Sequence, residues 1–192
     1  MGDLATGSRA AVAGGVVYVG SSDGLGGGLM SAFDAAGVKA DIQNAQGDKN
    51  KFQSIADGMI NEGVKVLMIV NLDSDTGAAC ETKAAAQGIK TIDYDRLTLG
   101  GGASYYVSFD NVAVGTAQGE GLVKCMQANG KKTGGVVLLN GSPTDNNAKL
   151  FKQGYEAAIK AAGYTIAADQ SVPDWDNTKA GTIFEQIYAQ TK

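Results

Sequence analysis

The sequence predicts an α/β fold built on a mostly parallel sheet. Two observations carry that expectation. Short apolar runs, most of them rich in Val, Ile or Tyr, alternate with stretches whose apolar residues recur at helical spacing. Glycine then stands where the chain turns toward the next strand, at Gly37, Gly63, Gly88, Gly130 and Gly163, the place for a left-handed helix C-cap. Strand, helix, glycine, strand is the rhythm of βαβ units, and such units build parallel sheets.

In chain order, strands are expected at 16–19, 40–43, 64–70, 90–94, 105–109, 136–139 and 165–168. After the second of these, Phe52, Ile55, Ala56, Met59 and Ile60 fall on one face of a helix. Further helices are expected at about 76–87, 112–127, 147–162 and 177–190. The segment 129–135 (Asn-Gly-Lys-Lys-Thr-Gly-Gly) is polar and glycine-rich, which marks it as a crossing between two lobes. The expected organisation is a first lobe at 1–128, with an atypical start at 1–30, and the beginning of an incomplete second lobe at 129–192.

Composition narrows the function classes. Of 192 residues, 44% are hydrophobic and 19% charged, an ordinary globular balance. Net charge is −4 and no basic run occurs, so nucleic acid is not an expected partner. No apolar stretch reaches the roughly 20 residues that span a bilayer. The chain has no histidine, which removes the commonest general base and metal ligand together. No cluster has metal-ligand spacing, so neither a metal nor a cofactor is expected. Cys80 and Cys125 are too far apart for a CxxC site and read either as one disulfide or as two buried helix thiols. No signal peptide is visible, and the opening Met1-Gly2-Asp3-Leu4-Ala5-Thr6 matches only a short myristoylation pattern. A mature or incomplete reading frame is the expected reason.

Two motifs suggest enzymes and fail. Gly20-Ser21-Ser22-Asp23-Gly24 matches the nucleophile elbow G-x-S-x-G after a strand, but no histidine exists to take the serine proton. The run Asp23-Gly24-Leu25-Gly26-Gly27-Gly28, with Asp41 as a ribose acceptor, approaches a dinucleotide loop, but Leu29 stands where the third glycine belongs. A flexible glycine-rich connection is the expectation there, and no catalytic residue is assigned.

Ligands in open α/β sheets bind beyond the carboxyl ends of the strands. Those tips hold Asn71-Leu72-Asp73-Ser74, Asp93-Tyr94-Asp95-Arg96, Asp110-Asn111, the run 140–147, and Val172-Pro173-Asp174-Trp175-Asp176-Asn177. Carboxylates, amides and guanidinium each bond pairs of hydroxyls, and the only tryptophan offers a flat surface for a sugar ring. Singly, each residue has a plainer role. Asp145 and Asn146 suit helix caps, Asp95 and Arg96 a surface ion pair, and Trp175 a filler between helix and sheet. Their joint placement at one edge favours binding.

Several stretches resemble the periplasmic sugar-binding proteins of ABC transporters, specifically the xylose-binding type. They are Asp41-Ile42-Gln43-Asn44-Ala45-Gln46-Gly47-Asp48, Ile92-Asp93-Tyr94-Asp95-Arg96, Tyr106-Val107-Ser108-Phe109-Asp110-Asn111, and Asn140-Gly141-Ser142-Pro143-Thr144-Asp145-Asn146-Asn147-Ala148-Lys149-Leu150-Phe151. Asp169-Gln170-Ser171-Val172-Pro173-Asp174-Trp175 follows at the family's distance, and the resemblance runs from about residue 32 to 192. It implies a type I periplasmic-binding fold, two lobes closing on a pyranose. It implies that Asp95 and Arg96 bond hydroxyls from the first lobe. Asn147 would bond and Trp175 stack from the second, with Asp145 and Asn146 shaping their loop. It also implies a monosaccharide ligand of the xylose type, a membrane permease as partner, and an exported, periplasmic or cell-surface location. Residues 21–28 lack the basic and aromatic pair that the family carries after its first strand, and 14–24 look more like a second-lobe strand and loop. Either a wrong-frame or spliced segment, or a substituted strand-helix unit, accounts for that start. An open sheet edge leaves room for a homo-oligomer. Two other readings are the effector domain of a sugar-responsive transcription regulator, for which residues 1–14 are too short to add a helix-turn-helix, and a nucleotide-dependent oxidoreductase.

Overall fold

Among the described residues, seven strands and five helices gather around two separate cores. The computed structural model describes residues 16–20 (backbone only), 33 and 35–190. The elbow-like and glycine-rich motifs between 20 and 28, and most of the atypical start, lie outside the described residues.

The first unit comprises β1 (Val16–Gly20), β2 (Ala40–Asn44), α1 (Lys49–Asn61), β3 (Val66–Ile69), α2 (Ser74–Ala86), β4 (Lys90–Tyr94) and β5 (Tyr105–Val107). Its five strands lie in the order β2-β1-β3-β4-β5, all neighbours parallel. The atypical start therefore supplies a central strand of this sheet. The predicted helical face is the one that is buried: Phe52, Ala56, Met59 and Ile60 pack with Leu67, Ile69, Cys80, Ala84 and Ile89. The run expected at 64–70 starts its pairing later, at Val66, because Val64 closes the turn out of α1 by donating its N–H to Met59 O. The run expected at 105–109 stops at Val107, and Phe109 leaves the sheet to stack on Phe151 with ring centroids 6.1 Å apart.

The second unit comprises α3 (Asn111–Ala128), β6 (Gly135–Asn140), α4 (Asn146–Ala161), β7 (Thr165–Ser171), a 3-10 turn (Pro173–Trp175) and α5 (Asn177–Gln190). β6 and β7 form a parallel pair with a register shift between Val136 and Val137. Val136, Leu138, Ile159 and Tyr164 form its core, with Val123 and Met126 of α3 packed against them. Helix starts follow one rule in both units. Asp48, Asp73, Asp110 and Asp145 each accept backbone N–H bonds from the first turn of the helix they precede. The glycines Gly37, Gly63, Gly88, Gly130 and Gly163 all have positive φ.

The expected division at 128/129 falls between two helices that the structure packs together. A Cβ at Gly115 would lie 2.1 Å from Phe151 O, and one at Gly119 2.7 Å from Tyr155 O. Gly154 meets the same seam from the other side, 2.3 Å from Val112 O. Backbones approach this closely only where side chains are absent. The segment 129–134 is therefore the turn from α3 into β6, and the chain passes from one core to the other around 108–110. Gly115→Ala is expected to lower stability by roughly 1–3 kcal/mol through overpacking. Gly121→Ala, whose Cβ meets open space on the same helix, is expected to be neutral or to gain up to about 1 kcal/mol. The urea midpoints of the two variants check this.

Cys80 and Cys125 are both free. Cys80 is buried, but Cys125 is exposed, so neither the bridge nor the pair of buried thiols describes them. Among the described residues, no helix is long and apolar enough to cross a membrane and no cluster of metal-ligating groups occurs.

Candidate functional site

Both sheets point their strand carboxyl ends at one cleft, so the turns after β2, β3 and β4 face those after β6 and β7. Five of the six residues singled out by sequence meet there through direct bonds or ion pairs, and Asp145 is the hub. Its Oδ1 accepts the Asn147 N–H at 2.9 Å, which caps α4. Its Oδ2 accepts the Trp175 indole N–H at 3.0 Å and lies 3.2 Å from Arg96 Nε across the cleft. Both carboxylate oxygens of this buried residue are thus engaged by protein.

Arg96 leaves β4 beside Asp95, whose φ of +67° turns the chain sharply. Its Nη1 donates to Asn71 O at 3.4 Å, and its Nε lies 3.8 Å from Asp95 Oδ2. The Asp95 carbonyl is a second crossing point: it accepts Asn147 Nδ2 at 3.0 Å and Ser108 Oγ at 2.7 Å. Burial pushes the Asp95 carboxyl above the usual carboxylate range, Arg96 opposes that shift and Asp145 adds to it. Asn147 is only 3% exposed. Its amide nitrogen is spent on Asp95 O, while Oδ1 is buried with no partner among the described residues.

Trp175 sits in the 3-10 turn with φ +56°, directly after Asp174 at φ +59°. Two consecutive non-glycine residues in the left-handed region hold strain of order 1–3 kcal/mol each, the kind found at ligand clamps. The indole covers Gly141, where a Cβ would lie 2.1 Å from the ring. Trp175 is 43% exposed, so it does not fill a gap between helix and sheet. A cavity of about 220 Å³ lies between the lobes, lined by Arg96 and Leu72 on one side and Ser142, Asp174 and Trp175 on the other, with Lys49 at its edge. A neighbouring one of about 300 Å³ is lined by Asn146, Asp145, Lys49 and Lys149. Asn146 starts α4 and reaches only this second cavity.

Sequence reasoning did not single out Lys49, Asn71 or Ser142. Asn71 and Ser142 do stand two residues past β3 and β6, among the strand-end residues where ligand groups collect. Lys49 follows the cap Asp48 and pairs with Asp73 at 2.5 Å. Asp41 lies mid-strand, exposed, and accepts from Gln43 Nε2 at 2.9 Å, far from the place of a ribose acceptor.

Two α/β units thus meet with opposed strand ends, bonded across a polar and aromatic cleft. Residues 18–192 match the family described as periplasmic binding protein domain, and the chain belongs to it, with the type I fold. The D-xylose-binding periplasmic protein of Haemophilus influenzae is 34% identical over 168 residues, 85% of this chain and 49% of the relative. A multiple sugar-binding periplasmic protein of Azospirillum brasilense is 36% identical over 171 residues, 83% of this chain and 48% of the relative. The structure of an ABC-transporter solute-binding protein from Clostridium phytofermentans with bound β-D-glucose superposes with TM-score 0.81 at 26% identity. It covers 92% of this chain and 60% of that one. The chain spans about half the length of the curated relatives it matches.

Proposed function

We propose that this chain binds a monosaccharide, an aldopentose of the xylose kind, in the cleft between its two units. The cavity of about 220 Å³ lined from both sides by Arg96 and Trp175 carries the reading. A guanidinium bonds paired hydroxyls, and an exposed indole face covers the apolar side of a ring. Asp95, which lines a separate cavity with Ser108 and Phe109, and Asn147 Oδ1, unpartnered among the described residues, are the further acceptors of this reading. Asp145 and Asn146 order the loop. Binding stabilises the closed arrangement of the lobes, and no bond in the sugar is broken. The boundary between the lobes falls at 108–110, with 111–190 as the described part of the second lobe.

The xylose-binding relative and the ABC-transporter neighbour support extending the proposal to sugar uptake, with a membrane permease as partner and an exported location. A homo-oligomer would form through an edge strand, for which β5, at the end of the first sheet, is placed. The test is a titration with D-xylose, with ribose and glucose as controls, following Trp175 emission. A saturable change with xylose is expected, and Arg96→Ala is expected to weaken it by about 10–100-fold through loss of a charged hydrogen bond. A folded chain whose emission no sugar moves would sink the reading.

A further inference from the structure

Glu81 is a buried carboxyl that sugar binding does not use. It is 1% exposed on α2, and Asp93 on β4, whose charge acts on it, is 0% exposed. The loop 98–102 closes over the pair. Gly102 N–H donates to Glu81 Oε2, and a Cβ at Gly101 would lie 2.3 Å from that oxygen. Glu81 Oε1 has no partner among the described residues. Two ionised carboxylates are costly in so dry a site, whereas a proton on Glu81 removes the bare charge from that last oxygen.

The pair is wired to Arg96. Asp93 accepts Thr98 N–H at 2.6 Å and Thr98 Oγ at 2.8 Å. Thr98 Oγ in turn accepts Asn71 Nδ2 at 2.7 Å. Asn71 holds Arg96 at both ends, accepting Nη1 on its carbonyl and lending its amide to Arg96 O at 3.5 Å. Close packing leaves this chain no slack, since a Cβ at Gly77 would lie 2.7 Å from Thr98 Oγ and 3.0 Å from Asn71 Cβ.

We propose that Glu81 keeps a proton in the fold, and that through the loop 98–102 and Asp93 it is the positioning element for Arg96, making sugar affinity fall as the proton is lost. The proposal rests on the reading of Arg96 as a sugar contact. Burial, and then the charge and hydrogen bond of Asp93, raise Glu81 to about 7, which puts the loss near neutrality. Cys80 beside Glu81 is pushed up to about 12 by burial. Asp57 of α1 and Lys83 of α2 pair with each other at 2.8 Å.

Two measurements from about pH 5.5 to about pH 8.5 test it, on the whole chain and on Glu81→Gln, which carries the neutral shape permanently. The first is Trp175 emission without sugar, which reports Arg96 through the shared Asp145 oxygen. The second is xylose affinity. Wild-type emission is expected to shift with a midpoint near pH 7, and affinity to fall about tenfold. Glu81→Gln is expected to keep the acid-form emission and affinity throughout. Thr98→Val, which cuts the link but leaves the pair, is expected to flatten the emission curve as well. A flat wild-type emission curve, or a Glu81→Gln curve like that of wild type, overturns the proposal. If no sugar binds at any pH while emission still follows Glu81, the positioning stands and the sugar reading alone fails.

Discussion

Replacing Asp145 with alanine is expected to destabilise the protein by roughly 3–5 kcal/mol, the cost of stranding one partner of a buried ion pair. Three interactions fail together. Arg96 loses the carboxylate 3.2 Å from its Nε, the indole of Trp175 loses its acceptor, and α4 loses its cap. The cap alone is worth about 0.5–2 kcal/mol. Asp145→Asn keeps one acceptor oxygen, enough for the cap or the indole but not both, and removes the charge facing Arg96, so it should fall between wild type and alanine. Urea denaturation separates the three proteins. Trp175 emission moving to longer wavelength in Asp145→Ala before any unfolding would show that the indole is released.

Glu81→Gln is expected to stabilise the protein above neutral pH. Glu81 ionises near its ordinary value of 4.5 in the unfolded chain and at about 7 in the folded one. Below pH 4.5 both states hold the proton and no difference arises. Between 4.5 and 7 the folded state holds a proton that the unfolded state has lost, so wild-type stability falls as pH rises. Above 7 the fall is complete, and it amounts to about 3 kcal/mol at 1.36 kcal/mol per pH unit. Glutamine keeps an acceptor for Gly102 N–H and a donor for Asp93 without that penalty. Equal stability of the two proteins at pH 8.5 would show that Glu81 is not held neutral in the fold.

The alternation of strands and helices was legible because both periods are local properties of the chain. The glycine caps were legible for the same reason, and Gly63, Gly88, Gly130 and Gly163 all adopt the left-handed backbone expected of them. Asp95, Arg96, Asn147 and Trp175 were legible as a set because strand ends converge in such folds, and the structure brings them together. The partner of α3 was not. A polar, glycine-rich run at 129–135 signals a turn, but a turn does not say which core the preceding helix joins. That information lay in Gly115, Gly119 and Gly154, whose spacing allows two helix backbones to touch. The wiring through Asn71 and Thr98 was hidden too, since it depends on loops from three elements meeting. The paired left-handed residues Asp174 and Trp175 leave no trace in residue type, because neither is glycine.

The two thiols give the molecule a chemical handle. Cys80 is buried and held as a neutral thiol, while Cys125 stands exposed near the far end of α3. Maleimide chemistry on the native chain should therefore stop at one adduct. That adduct sits roughly 20 Å along the helix axis from the crossing between the lobes. A dye, a spin label or a tether to a solid support placed there leaves the mouth of the cleft facing away from the attachment, so the protein can be mounted in one orientation without altering a residue.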